Sequence, residues 1–281
     1  GLVGSEMCIR DSLRNGEIYV IKLKTFGSFT VGNDLTSVQE GAWRSKKLEK
    51  LFVYLAINRN RGVCIEDISK AIWQVEEETD NPVGVLKNLA YRLRKALRDA
   101  SFDEECIVSV RGGLYKWNDD VEVSIDVEEF DRYINEAEFA FSRSKETAIE
   151  SYEKAIALYN GDFLSRLTDT HWFMTLNAFY HSRYVNTVKA LAELYIDTGC
   201  YEKLEQLCTK AVVYERSDEQ IYSYLILARM RTKKVQMAFD TYETAKAIMD
   251  NDLGVRKTVM LNKVYEELLS VTKGVSSYNI D

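Results

Sequence analysis

Between Lys87 and Arg98 the chain sets out Lys87, Asn88, Tyr91, Arg92, Arg94, Lys95 and Arg98, and no carboxylate intervenes before Asp99. Side chains of these types recognise nucleic acid. Arginine can donate two hydrogen bonds to O6 and N7 of one guanine, asparagine can pair with adenine, and lysine neutralises phosphate. The residues between them, Leu86, Leu89, Ala90, Leu93 and Leu97, recur at helical spacing, so the two sets occupy opposite faces of one helix. Its start is marked by Asn81 as N-cap and by Pro82, the only proline in the chain, at the first helical position. On this reading Asn88, Tyr91, Arg92 and Lys95 face base edges, while Lys87, Arg94 and Arg98 meet phosphates. A basic face that is merely solvated is the competing reading, and the surrounding elements decide between the two.

Upstream, residues 17–31 (EIYVIKLKTFGSFTV) are rich in β-branched and aromatic residues and broken by Gly27, which predicts short antiparallel strands. Leu48, Leu51, Phe52 and Leu55 then give a helical stripe, with Arg44, Lys46, Lys47 and Lys50 at its start and on its other side. Ile68, Ala71 and Ile72 mark a second, shorter helix ahead of the basic one. Downstream, IVSVRGGLYKW reads as a hairpin turning on Gly112 and Gly113, which sets Arg111 opposite Leu114, Val110 opposite Tyr115, Ser109 opposite Lys116 and Val108 opposite Trp117. One face is then Val108, Val110, Tyr115 and Trp117, and the other shows Ser109, Arg111 and Lys116 to solvent. Strands, three helices and a terminal hairpin in this order are the parts of a winged helix-turn-helix. Arg44, Lys46 and Lys47, beside the free amides of a helix start, suit phosphate.

A chain of 281 residues with 46% hydrophobic composition is expected to form two domains. Its formal net charge of -7 suits a nucleic-acid binder only if the basic residues are segregated. No apolar run is long enough to span a membrane and no signal peptide opens the chain, so a cytoplasmic location is expected. Cys8, Cys64, Cys106, Cys200 and Cys208 lie far apart, and His171 and His181 fit no metal or nucleophile motif. Neither a metal, a cofactor nor an enzymatic activity is therefore expected. From Asp126, paired with Glu129 as a plausible cap, to Thr272 the pattern is helical throughout. Leu191 and Leu225, and Ala211 and Ala245, are each 34 residues apart, the period of tetratricopeptide helix pairs, although Gly199 aligns with Lys233. Tyr152, Tyr159, Phe163, Trp172, Phe173, Phe179, Tyr180, Tyr195 and Tyr201 either line a groove or, as stacked helix pairs require, fill the packing between helices.

The chain resembles the bacterial transcriptional activators of the SARP type, which join an OmpR-like winged helix to a bacterial transcriptional activator domain. LKTFGSFTV, WRSKKLEKLFVYLAINR, LAYRLRKAL and VRGGLYKW carry the resemblance in the first half. In the second half, IDVEEFDRYINEA, AIALYNGDFL with the following Trp172, the helix pairs and DLGV carry it. The sequence departs after DLGV, where Arg256, Lys257 and Thr258 replace the family's proline-serine segment, and it has no GxxxxGK[ST] motif. The fold so implied is mainly α with a small β part: a winged helix-turn-helix over residues 17–120, then an all-α tetratricopeptide-like helical-repeat domain over 121–275. Residues 1–16, whose GLVGSEMCIRDS resembles a translated sequencing adapter, are expected to be a non-native or disordered leader outside the fold.

The resemblance further implies a sequence-specific regulator of transcription, with double-stranded DNA and RNA polymerase as partners and two copies on repeated half-sites. Arg111 on the wing would enter the flanking minor groove. Glu76, Glu77, Glu78 and Asp80, in the loop before the basic helix, stand where relatives touch the polymerase, though such a run also serves simply to solvate a loop. An interaction scaffold without direct DNA binding is the alternative function.

Overall fold

The computed structural model describes residues 20–33, 36–74, 80–102, 109–111, 113–119, 121–252 and 258–276. Residues 1–16, Cys8, Cys106, Val108, Gly112, the acidic Glu76, Glu77 and Glu78, and most of DLGV lie outside these. The chain packs as two compact units, one of residues 1–129 with 158–180 and the other of 130–157 with 181–281. This is not the same cut as the sequence-based division after residue 120, because residues 158–180 pack among N-terminal elements. Gly27 N–H donates to the Asp162 carbonyl at 3.2 Å, Leu164 N–H donates to the Thr25 carbonyl at 2.9 Å, and the Phe26 ring lies 4.9 Å from that of Tyr159.

The first unit opens with β1 (Val20–Lys24), β2 (Thr30–Gly32) and β3 (Ser37–Gln39), paired antiparallel in sequence, while β6 (Glu122–Ile125) joins β1 in parallel. Side chains alternate along β1: Ile21 and Leu23 are buried and Lys22 and Lys24 exposed. The sequence reading did not contain β3 and β6, which are too short to show a period. A parallel partner for β1 needs a long crossover, and here the three helices and the hairpin supply it: α1 (Lys46–Ile57), α2 (Ile65–Ile72), α3 (Pro82–Asp99), β4 (Ser109–Arg111) and β5 (Leu114–Lys116).

Asp126 locks this crossover shut. Its carboxylate accepts the backbone N–H groups of Thr25 (2.8 and 2.9 Å), Phe26 (3.0 Å) and Val127 (2.9 Å) and the Thr25 hydroxyl (2.5 Å). Burial pushes the carboxyl above the usual aspartate range, and the donors from Phe26, Thr25 and Val127 pull it back. The expected local cap with Glu129 is thus replaced by a long-range clamp on the end of β1, and Glu129 instead accepts from the Ser124 hydroxyl at 2.7 Å.

The helical elements are α4 (Asp126–Ala140), α5 (Lys145–Leu158), α6 (His171–Thr198), α7 (Tyr201–Tyr214), α8 (Glu219–Arg231), α9 (Val235–Asp252) and α10 (Val259–Ser276), with a 3-10 turn at Ser165–Leu167. None of the described helices is long and apolar enough to cross a membrane. Leu191 and Leu225, and Ala211 and Ala245, are all buried, as a repeat requires. The agreement extends to the turns. After α6, Gly199 N–H donates to the Ile196 carbonyl and Cys200 N–H to that of Tyr195; 34 residues on, Lys233 N–H donates to Met230 and Lys234 N–H to Arg229. Both are Schellman closures, and both need a left-handed residue. Gly199 has φ +70°, and Lys233 holds φ +63° with a side chain that disfavours it.

In the second unit α8, α9 and α10 enclose one apolar cluster that includes Ile226, Ala238, Ala245, Leu261 and Leu268. Glu219 fixes the start of α10 by accepting the Met260 and Leu261 N–H groups at 2.6 and 3.0 Å, so the helix is anchored without the family's proline-serine segment. Of the aromatic residues singled out from sequence, Tyr152, Tyr159, Phe163, Phe173, Tyr180 and Tyr195 are buried, Trp172 and Tyr201 are half-buried, and Phe179 is exposed. Most of them are therefore packing residues. Cys208 lies in the core, and burial pushes its thiol up.

Replacing Lys233 by glycine should stabilise the helical unit by about 1 kcal/mol, and Gly199→Ala should destabilise it by about as much. A Cβ at Gly199 would meet nothing within 4 Å, so urea unfolding would read the backbone conformation alone. Asp126→Ala, which strands three backbone donors, should cost about 3 kcal/mol in the same measurement.

Candidate nucleic-acid interface

The rotation of α3 is set from inside. Leu86, Leu89, Ala90, Leu93 and Leu97 are all buried, and the N-terminus is pinned by the Asn81 side chain, which accepts the Gly84 N–H at 2.9 Å with Pro82 following it. With that face fixed, Lys87, Asn88, Tyr91, Arg92, Lys95 and Arg98 are exposed, and Tyr91 keeps 65% of its surface. Asn88, Tyr91 and Lys95 fall along the line directly opposite the apolar stripe, while Lys87 and Arg92 flank it. Arg94 is only half-buried on the side toward the hairpin, where its charge partly offsets the burial that pushes the Tyr115 hydroxyl up.

Two features sequence reasoning missed bear on this face. Val83 and Val85, on the first turns of α3, are 43% and 39% exposed. Their only sequence signal is that neither belongs to the apolar stripe.

The hairpin has the expected register: Ser109 opposite Lys116, Val110 opposite Tyr115 and Arg111 opposite Leu114. It is held to the body of the unit by Val63, which exchanges both backbone hydrogen bonds with Tyr115 at 2.8 and 2.9 Å. A Cβ on Gly62 would stand 2.9 Å from the Leu114 side chain, so a larger residue there would require that side chain to shift. Tyr115 and Trp117 are buried, and the Trp117 indole N–H donates to the Val121 carbonyl at 3.1 Å. Phe29, Trp43, Phe52 and Trp117 form a row of edge-to-face rings linking sheet, α1 and hairpin. Arg111 sits in β4 beside the turn, and Lys116 is half-buried and ion-paired with Asp119.

At the start of α1, Arg44 and Lys46 are exposed and Lys47 is half-buried. Arg44 adopts φ +50° in a turn closed by its N–H on the Gly41 carbonyl. Glu49 braces this turn: buried in α1, it accepts the Gly41 N–H at 2.8 Å, and burial raises its carboxyl against that hydrogen bond. Lys50 does not share the outer face expected for it. It is buried, ion-paired with Asp169, and its ammonium lies 5.7 Å from the centre of the Phe173 ring. Lys50 lies only about 40° around the helix from Lys46, and it is buried because Asp169 and Phe173, far away in sequence, cover that part of the face. Asp80, just before the N-cap of α3, is exposed.

The structure thus brings Lys87, Asn88, Tyr91, Arg92, Lys95 and Arg98 onto the exposed side of one helix. Arginine, lysine and asparagine so arranged on a helix can enter a major groove. A family model described as the C-terminal domain of transcriptional regulatory proteins matches residues 40–117, and one described as the bacterial transcriptional activator domain matches residues 125–269. The transcriptional regulator RedD of Streptomyces coelicolor is 23% identical over 238 residues, covering 84% of this chain and 67% of RedD. The structure of Mycobacterium tuberculosis EmbR, determined in complex with a low-affinity phosphopeptide, superposes with a TM-score of 0.67 at 20% identity, covering 90% of this chain. The chain spans 65% of that EmbR chain, and the likeness is one of fold. The order of the two matched domains, with the second covering half of the sequence, shows that the chain belongs to the SARP-type family of bacterial transcriptional activators.

Proposed function

We propose that the chain binds specific DNA sequences through α3 and thereby activates transcription. The observation that carries this reading is the exposed face of α3, which concentrates cations on a protein of formal net charge -7. A helix buried on one side by leucines, with its opposite face exposed and basic from Lys87 to Arg98, suits the major-groove docking by which helix-turn-helix proteins read base edges.

In this reading Asn88, Tyr91, Arg92 and Lys95 face bases. Lys87, Arg94 and Arg98 meet phosphates, and Arg44, Lys46 and Lys47 hold register on the neighbouring backbone. Arg111 and Lys116 place the wing over the flanking minor groove, with the Lys116–Asp119 pair broken on binding. The half-buried Arg94 is the weakest of the phosphate assignments. Glu76, Glu77, Glu78 and Asp80 precede α3 on its N-terminal side, and their charge suits a basic surface of RNA polymerase. Two copies on repeated half-sites, acting in the cytoplasm, complete the proposal.

Binding to a fluorescent duplex pool at several salt concentrations tests it. The parent should bind with affinity that falls steeply with salt, since each phosphate contact releases counterions. Lys87→Ala and Arg98→Ala should each lower the slope of log K against log salt by about 1, weakening all sequences alike. Arg92→Ala should instead weaken the selected sequence by about 1–3 kcal/mol and relax the preference at one base pair. Folded parent protein that ignores the pool at low salt would favour the scaffold function, in which the helical repeats act without direct DNA contact.

A further inference from the structure

Val83 and Val85 stand out on α3. Valine is among the poorer helix formers, and at a position this exposed burial returns only part of what a core site would give. Both nevertheless occupy the first turns of the helix with 43% and 39% of their surface free, at the end that enters the groove most deeply in helix-turn-helix proteins.

Their positions around the helix separate them. Asn88 lies three residues beyond Val85, about 60° around the axis, and Arg92 lies seven residues beyond it, about 20° around. Val85, Asn88 and Arg92 therefore form one ridge running from the N-terminus along the free face. Val83 is about 140° from Asn88 and about 40° from Lys87, on the flank assigned to phosphates. An apolar group in line with two base-reading side chains has one good partner in the major groove. This is the C5 methyl of thymine, the only hydrocarbon that a base edge presents there.

Resting on the DNA-binding reading above, we propose that Val85 is a specificity-determining residue that packs on the methyl group of a thymine in each half-site. Arg92 and Asn88 supply directional hydrogen bonds along the same ridge, and Val85 supplies discrimination that is steric and apolar. Cytosine at this position would place a bare ring carbon and an amino donor against the side chain. Uracil would keep every hydrogen-bonding group of thymine and lose only the contact.

That difference is the test. An operator is first selected from the duplex pool with the parent protein, and each thymine of a half-site is then replaced singly by uracil. Affinities are measured at fixed salt for the parent, Val85→Ala, Val85→Thr and Val83→Ala, each shown to be folded by its thermal transition. At one thymine the uracil duplex should bind the parent about fourfold more weakly, the worth of one buried methyl group. Val85→Ala should bind the thymine and uracil duplexes equally, Val85→Thr should retain part of the difference, and Val83→Ala should retain all of it. The proposal is overturned if the selected half-site lacks thymine, if no uracil substitution weakens the parent, or if Val85→Ala discriminates as the parent does; DNA binding stands in each case. If the parent selects nothing from the pool at low salt, the DNA-binding reading itself fails, and this proposal with it.

Discussion

Five buried side chains decide what this protein can show to a partner. Leu86, Leu89, Ala90, Leu93 and Leu97 hold one face of α3 against the body of its unit, and no other rotation of the helix would bury them all. Because the helix cannot turn, Asn88, Arg92 and Lys95 face outward whatever their own preferences, and the Asn81 cap fixes where the helix begins. The aromatic row from Phe29 to Trp117 and the Val63–Tyr115 bridge then set the hairpin at the side of that helix. Recognition is in this sense a by-product of packing.

The excess of acidic residues is compatible with this because several carboxylates work inside the structure. Glu49 braces the turn that presents Arg44, and Asp126 clamps the end of β1. Glu153 accepts from the Tyr195 hydroxyl and Lys203, and Glu205 faces Arg229 and Lys234. Glu219 caps α10. Such groups contribute to the total of negative charge without opposing a basic face elsewhere, so the sum over the chain says little about the field at α3.

Much of this was legible in the sequence where a local rule sufficed. The α3 stripe, its cap, the hairpin register and the 34-residue repeat each follow from spacing or from a single turn residue. What was not legible depended on partners distant along the chain. Lys50 looks like its neighbours Lys46 and Lys47 until Asp169 and Phe173 are brought beside it. Asp126 reads as a local cap, yet its carboxylate serves Thr25 and Phe26, a hundred residues away. The strand β6 is only 4 residues long and is defined by its pairing with β1. The left-handed Lys233 was hidden because a lysine carries no signal for the conformation that Gly199 adopts at the equivalent turn. Val85 was passed over because an isolated apolar residue carries no period.

The central claim is that α3 lies in a major groove with its arginine on a guanine edge, and chemical interference tests it most directly. Guanines of a selected operator are methylated at N7, which blocks the major-groove acceptor and leaves the minor groove and the phosphates unchanged. The account predicts that methylation of at least one guanine per half-site prevents binding by the parent, and that Arg92→Ala is indifferent to the methyl group at that same guanine. Specific binding by the parent that survives N7 methylation at every guanine would contradict it.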